Sequence, residues 1–333
     1  MKKALGFIFL LLLAAVGSLV IGSVNIPASE VFAALTGGET EKESWRYIIL
    51  QSRLPQTITA MLCGSSLAAS GLMLQTVFRN PLAGPSILGI TNGASLGVAI
   101  VMLVTGGILV TPLSPIGELA GASAVILSAF IGAVAVIALL IAVSTMVRSN
   151  LMLLIVGIMV SYLVSSIVSL VYTIASADNI HSYVMWGMGS FNNVTLQQLP
   201  WFSAVTLLGL LMAILLIKPL NAIMLGDDYA TNLGINVPRI RRHLLLVTGM
   251  LTAVATAYCG PVAFIGLAVP HIARLITRTA DHLVLLPATI ALGATIALLC
   301  NIVSVLPEHS VIPLNAVTPL FGAPVIIYII FKR

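Results

Sequence analysis

From Ala4 to Phe331 the chain repeats one pattern: a long apolar stretch, then a short polar break. One helical crossing of a bilayer needs about 20 mostly apolar residues. Ten stretches qualify, at 4–24, 54–78, 86–110, 116–147, 151–174, 196–217, 244–258, 262–276, 283–305 and 312–331. The runs are continuous rather than alternating, which argues against a membrane barrel. Charged residues make up 8% of the chain and hydrophobic ones 59%, whereas a soluble globular chain is about 25% charged. So few polar side chains cannot cover a surface facing water. The net charge of +5 is no nucleic-acid footprint, since that needs cations clustered on a soluble face. Three cysteines are too few for a disulfide scaffold, and the chain is too apolar for disorder. The expected fold is all-α: a polytopic membrane protein of about ten helices, with residues 1–333 forming one transmembrane domain.

Lys2 and Lys3 before an apolar run could open a signal peptide. The run is too long for that, and no small-residue cleavage site follows cleanly, so it reads as a retained first span. The seventh and eighth stretches are short and separated only by Cys259-Gly260-Pro261, which predicts a tight turn or a broken helix.

Cations concentrate in cytoplasmic segments of membrane proteins. Ten spans place both termini on one side. With the termini in the cytoplasm, the inner segments hold Lys2, Lys3, Arg79, Arg148, Lys218, Arg239, Arg241, Arg242, Arg274, Arg278, Lys332 and Arg333. Against these twelve stand Asp227, Asp228 and Asp281, leaving +9. Outside, Lys42, Arg46 and Arg53 face seven acidic residues, leaving −4. The expectation is a multi-pass protein of the cell (inner) membrane with cytoplasmic termini.

Five polar segments interrupt the spans. The outer segment 25–52 reads as a solvated connector. The inner turn Arg79-Asn80-Pro81-Leu82-Ala83-Gly84-Pro85 carries two prolines, which remove donors and push preceding residues out of helix; Asn80 suits a helix end before a proline. In the outer segment 176–193, residues 181–188 suit a short helix across the outer mouth. The longest inner loop, 219–243, contains Gly226-Asp227-Asp228-Tyr229-Ala230-Thr231-Asn232-Leu233-Gly234. Asp227 or Asp228 suits an N-cap or first turn and Gly234 a C′ position. Tyr229, Ala230 and Leu233 fall on one face, which packs either under the membrane domain or on a partner protein. The fifth segment runs from Gly260-Pro261 to Pro270-His271-Ile272-Ala273-Arg274, with two glycines and two prolines inside an apolar run; such discontinuous helices occur where backbone is buried or lines a cavity. His271 is either a ligand or proton relay, or a polar group bonded to backbone.

Several absences narrow the class. All ten acidic residues lie in loops or at span ends, so no intramembrane carboxylate is available to carry a coupling ion. There is no His-Glu-x-x-His pattern, and Cys63, Cys259 and Cys300 show no CxxC spacing; they read as small buried residues. No phosphate-cradling glycine loop with Lys and Ser/Thr occurs, so the chain is not expected to be an enzyme that hydrolyses ATP. A transport domain without its own energy source draws on a partner, and the capped inner helix is the natural docking point.

These motifs resemble the FecCD family of ABC transporter permeases, importers of iron-siderophores, haem and cobalamin. The resemblance spans about residue 52 to the C-terminus. It is carried by Arg53-Leu54-Pro55 with Gly64, Gly71, Gln75 and Asn80-Pro81-Leu82-Ala83; by Leu88-Gly89-Ile90, Asn92-Gly93-Ala94 and Trp186 to Phe191; by Gly226 to Gly234 and Gly260 to Arg274; and by Val317-Thr318 with Gly322-Ala323-Pro324. It implies a type II importer permease: a homodimer in the lipid bilayer, two ATPase subunits on the cytoplasmic side and an extracytoplasmic substrate-binding protein, with no cofactor, no metal site and no nucleic acid. Carried over by position, Asn80, Leu82, Ser149 and Asn150 would lie near the cytoplasmic gate. Gly226, Asp227, Asp228, Tyr229, Ala230, Leu233 and Gly234 would contact the ATPase. Gly260, Pro261, Pro270, His271 and Arg274 form the pathway motif, and Arg53 with Arg46 would meet the binding protein. Two departures stand out. The family often has a second arginine where Gln56 stands, and an Asp and an Arg where Asn301 and Val305 stand. The expected function is the permease subunit of an ATP-driven importer of an iron chelate, haem or corrinoid. A secondary transporter or channel is the alternative, and a membrane-bound enzyme a weaker third.

Overall fold

The computed structural model describes residues 2–104, 115–147, 150–307 and 311–331. Every regular element among them is helical. The order is α1 (Lys2–Val20), α2 (Ala28–Thr36), α3 (Glu43–Ile48), a π turn (Ile49–Arg53), α4 (Leu54–Val77), α5 (Ile90–Ala99), a second π turn (Ile100–Val104), α6 (Pro115–Met146) and α7 (Asn150–Tyr172). Then follow α8 (Ala177–Gly187), α9 (Leu199–Leu215), α10 (Ile217–Leu225), α11 (Asp227–Asn232), α12 (Val237–Cys259), α13 (Ile265–Thr277), α14 (His282–Val305) and α15 (Leu314–Phe331).

Five helical stretches are long and apolar enough to cross a membrane, and α9 with α10 makes a sixth, bent by 50°. Four shorter apolar helices, Leu5–Val20, Ile90–Val104, Ile265–Thr277 and Leu314–Tyr328, complete a series that follows the ten expected spans in order. The most apolar spans are the least buried. Only 33% of the α6 stretch and 28% of α7 are buried, against 83% of the stretch through α4. Lipid is as apolar as leucine, so the surface carries the greasiest helices and the interior can hold small and polar residues.

The core is built on α4, where 20 of 24 residues are buried. Neighbouring helices approach it through glycine. A Cβ on Gly64 would stand 2.2 Å from the Gly293 carbonyl oxygen of α14, and one on Gly71 would stand 1.7 Å from that of Gly266 on α13. Hydrogen atoms alone let these backbones touch, the usual device of packed membrane helices. Cys63 and Cys259, distant in sequence, bring their thiols into contact between α4 and α12.

Two segments differ from expectation. The 25–52 connector is not merely solvated: α2 and α3 fold over the bundle, and Ile26, Val31, Ala34 and Ile49 form a small core of their own. The inner loop 219–243 is mostly helix, because α10 continues past Pro219 and α12 starts at Val237. Asn236 caps α12, its Oδ1 accepting the Arg239 N–H at 3.0 Å, and Pro238 sits in the first turn, where its missing donor is harmless. Arg239, Arg241 and Arg242 ride on that helix, which a search for apolar runs cannot detect. The short helix expected over 181–188 is present as α8, capped by Ser176, whose Oγ accepts the Asn179 N–H.

Candidate functional site

The turn at 79–85, expected near a gate, begins where α4 stops. Arg79 takes a left-handed backbone, φ 45°. The Asn80 N–H bonds the Gln75 carbonyl at 3.2 Å and the Arg79 N–H bonds that of Thr76 at 3.2 Å. This is a Schellman closure with arginine where glycine is usual. Asn80 is therefore one residue beyond the closing position, and its Oδ1 accepts the Leu82 N–H at 2.9 Å, fixing the turn. Leu82 is exposed. From α13, His271 Nε2 donates to the Pro81 carbonyl at 2.8 Å, so the backbone-bonded reading of His271 holds. Three residues on, Arg274 donates to Gln75 Oε1 at 2.6 Å, and Gln75 Nε2 donates to the Leu267 carbonyl at 3.1 Å. Pro270 lies inside α13. The motif therefore clamps the turn to α13.

α11 lies beside this turn. Gly226 precedes it at φ 134°, and Asp227 and Asp228 form its first turn. Gly234 closes it at φ 80°: the Gly234 N–H bonds the Thr231 carbonyl at 2.9 Å and the Ile235 N–H that of Ala230 at 3.0 Å. The expected single face splits. Ala230 is fully buried, while Tyr229 and Leu233 are 50% and 58% exposed. Four residues apart, the latter two share one outward face. Asp227 Oδ1 accepts from Arg79 Nη2 at 2.6 Å, and its Oδ2 from Arg241 Nη2 at 3.2 Å. Arg79 Nη2 also donates to the Ile223 carbonyl of α10 at 3.2 Å.

Between the 79–85 turn, α13 and α14 opens a cavity of about 500 Å³, lined by Gln75, Arg79, Leu82, His271, Arg274 and His282 among others. Its rim is held by Asn221. The Asn221 Oδ1 accepts from His282 Nδ1 at 2.7 Å, and its Nδ2 donates to Asp281 Oδ1 at 2.6 Å. The Leu283 N–H, and then Asn221, stabilise the Asp281 carboxylate and hold its pKa below the usual range.

The other end of the bundle holds no ion pair among the described residues. Gly260, at φ 72°, and Pro261 form the break between α12 and α13. Asn315 at the start of α15 ties that break to α8: its Nδ2 donates to the Gly187 and Pro261 carbonyls at 2.9 and 2.8 Å, and its Oδ1 accepts the Ala263 N–H at 3.1 Å. Gln56 and Asn301 meet: Gln56 Nε2 donates to Asn301 Oδ1 at 2.7 Å, and Asn301 Nδ2 to Ser18 Oγ at 3.1 Å. Two of the positions noted in the sequence are thus one contact, a buried amide pair.

Arg53 is corrected. Only 5% exposed, it turns inward and donates to the Leu19, Val20 and Val24 carbonyls, closing the end of α1. Its guanidinium is therefore not displayed on the surface of the chain. A helix end leaves carbonyls without partners, and a guanidinium supplies several donors at once. Arg46 is exposed on α3 and lines a surface groove with Glu43 and Tyr47. Ser149 lies outside the described residues, and of Asn150 only the backbone opening α7 is described. The structure therefore joins Asn80, Leu82, His271 and Arg274 to Asp227, and sets Gly260, Pro261, Arg53 and Arg46 apart from them. Arg79, Arg241, Asn221 and Asn315 escaped sequence reasoning, because each works through a partner more than 10 residues away.

An all-helical bundle of apolar spans, matched over its whole length by a solved ABC transporter, has the fold of a type II ABC importer permease. The FecCD transport family model matches residues 10–332, and the chain belongs to that family. The hemin transport system permease protein of Yersinia pestis is 35% identical over 294 residues, covering 88% of this chain and 84% of that protein. The vitamin B12 import system permease protein of Klebsiella pneumoniae is 33% identical over 288 residues, covering 86% and 80%. A solved structure of a metal-chelate type ABC transporter in an inward-facing conformation superposes with a TM-score of 0.85 at 30% identity, over 100% of this chain and 99% of that one.

Proposed function

We propose that this chain is the membrane-spanning subunit of an ATP-driven importer that moves an iron chelate, haem or corrinoid into the cytoplasm. Two copies line the path. Two ATPase subunits dock from the cytoplasm and carry out hydrolysis, and a substrate-binding protein delivers the ligand from outside, with Arg46 among the cations that meet it. Both termini lie in the cytoplasm, as the inner excess of Lys and Arg favours. The ligand classes follow from the hemin and vitamin B12 relatives and the metal-chelate transporter.

The observation that carries this reading is α11. A six-residue helix closed at its end and seated on Ala230, with Tyr229 and Leu233 turned out, is built to be covered by something else. Central apolar contacts of an interface are worth about 1–2 kcal/mol or more each. Leu233→Asp should release the ATPase during purification and abolish uptake, while the permease keeps its elution volume and melting temperature. A Leu233→Asp permease that still co-purifies with its ATPase and transports normally would show that α11 is not the docking helix. Uptake into liposomes by the permease alone would favour a secondary transporter or channel instead.

A further inference from the structure

We infer that Asp227 is a positioning residue that transmits movement of α11 to the gate turn, through the Arg79–Asp227–Arg241 bridge. This rests on the docking reading above, since the bridge bears on transport only if α11 meets the ATPase.

The geometry is direct. Asp227 is the first residue of α11 and divides its two oxygens between two elements: Oδ1 takes Arg79 of the gate turn at 2.6 Å, and Oδ2 takes Arg241 of α12 at 3.2 Å. α11 is a stiff unit. Its last turn is closed by the Gly234 and Ile235 N–H bonds, and the Thr231 hydroxyl donates to the Asp227 carbonyl at 2.8 Å. Arg79 is followed directly by Asn80, whose side chain fixes Leu82. Only Arg79 and Asn80 therefore separate the proposed ATPase contact from the exposed tip of the gate. Arg79 sits in a backbone region that side chains with a Cβ adopt reluctantly. The Asp227 bond opposes relaxation of that strain, so weakening the bond frees the turn to move.

The bridge is also built to respond to cover. The Arg79 and Asp227 side chains are 45% and 39% exposed, whereas Arg241 is 10% exposed. Exposed ion pairs are weak and screened by salt, and the same pair strengthens when water is excluded. An ATPase seated on Tyr229 and Leu233 would dry the Arg79 side of the bridge and stiffen the joint only when docked. The free permease would keep a loose gate turn, and the complex a driven one.

The test uses the full-length permease with its ATPase in nanodiscs, with Cys63, Cys259 and Cys300 replaced by Ala and Leu82→Cys as reporter. Maleimide labelling of the reporter is timed with and without a non-hydrolysable ATP analogue. With the bridge intact, the nucleotide should change the labelling rate by about fivefold or more. Arg79→Gln should keep the ATPase bound and hydrolysing but remove that response. Asp227→Asn should remove it too, and Asp227→Glu should restore it. A nucleotide response that survives both Arg79→Gln and Asp227→Asn overturns the inference. If the ATPase co-purifies but the parental reporter never responds, docking stands and the inference falls. If no ATPase co-purifies with the parental permease, the docking reading fails and takes the inference with it.

Discussion

The two ends of the bundle are held by different chemistry. At the end bearing α8 there is no ion pair among the described residues: Asn315 binds three backbone atoms, Gln56, Asn301 and Ser18 form a buried chain of amides and hydroxyl, and the buried Arg53 bonds backbone carbonyls. At the end bearing α11, charges make the joints: Arg79 and Arg241 on Asp227, and Arg274 on Gln75. A buried amide network is directional and avoids the desolvation of ions. It is strong while complete and costly when broken. A half-exposed ion pair is weak, adjustable and sensitive to whatever covers it. The first arrangement suits a fixed seam, and the second a joint that moves.

The seam should break hardest. Asn315→Leu leaves the Gly187 and Pro261 carbonyls and the Ala263 N–H without their side-chain partner. Each of these part-buried hydrogen bonds is worth about 0.5–1.5 kcal/mol, so losing all three is expected to cost about 3 kcal/mol. A thiol-reactive dye reading the exposure of buried Cys63, Cys259 and Cys300 on heating would show it. The melting temperature should fall equally at low and high salt. A drop that depends on salt, or no drop, would erase the contrast between the ends.

The amide pair gives a finer test. Asn301→Leu strands Gln56 Nε2 and takes one of the two partners of the Ser18 hydroxyl, which keeps Thr57, and should cost about 1–3 kcal/mol. Adding Gln56→Leu removes one stranded group and should recover about 1 kcal/mol, a non-additivity that the double-mutant cycle reads. Strict additivity would mean that the two amides do not depend on each other.

The sequence showed some of this arrangement and concealed the rest, for physical reasons. Spans were legible because bilayer thickness imposes a length on any apolar run. The closing glycine of α11 was legible because a left-handed residue favours glycine there, and Gly234 is in that conformation. Arg79 has the same closing role on α4 without being glycine, so local rules passed over it. Asn315, Asn221 and the Cys63–Cys259 contact depend on partners 52 to 196 residues away in the chain. Charge near a span end usually faces water, so Arg53 reads from the sequence as an outward cation. Its burial depends on the chain doubling back after α1 at Gly22, where a Cβ would stand 2.8 Å from the guanidinium, a proximity that spacing does not encode.

The smallest effect should come from the moving joint when nothing covers it. In the isolated permease, Asp227→Asn removes a carboxylate that is 39% exposed and shared by two arginines. Exposed pairs contribute about 0.2–1 kcal/mol, and the asparagine oxygen can still accept from one arginine. The melting temperature should therefore fall by no more than about 2 °C at low salt. Raising salt should shrink that difference, since the Debye length drops to about 3 Å at 1 M. The same substitution in the ATPase-bound complex should cost more, because cover lowers the local dielectric. Six melting curves suffice: the protein with and without the substitution, each isolated at low salt, isolated at high salt and bound to the ATPase. A loss in the isolated permease as large as that of Asn315→Leu, unchanged by salt, would mean that Asp227 belongs to a rigid seam like the one at the opposite end, and the two ends would no longer differ in kind.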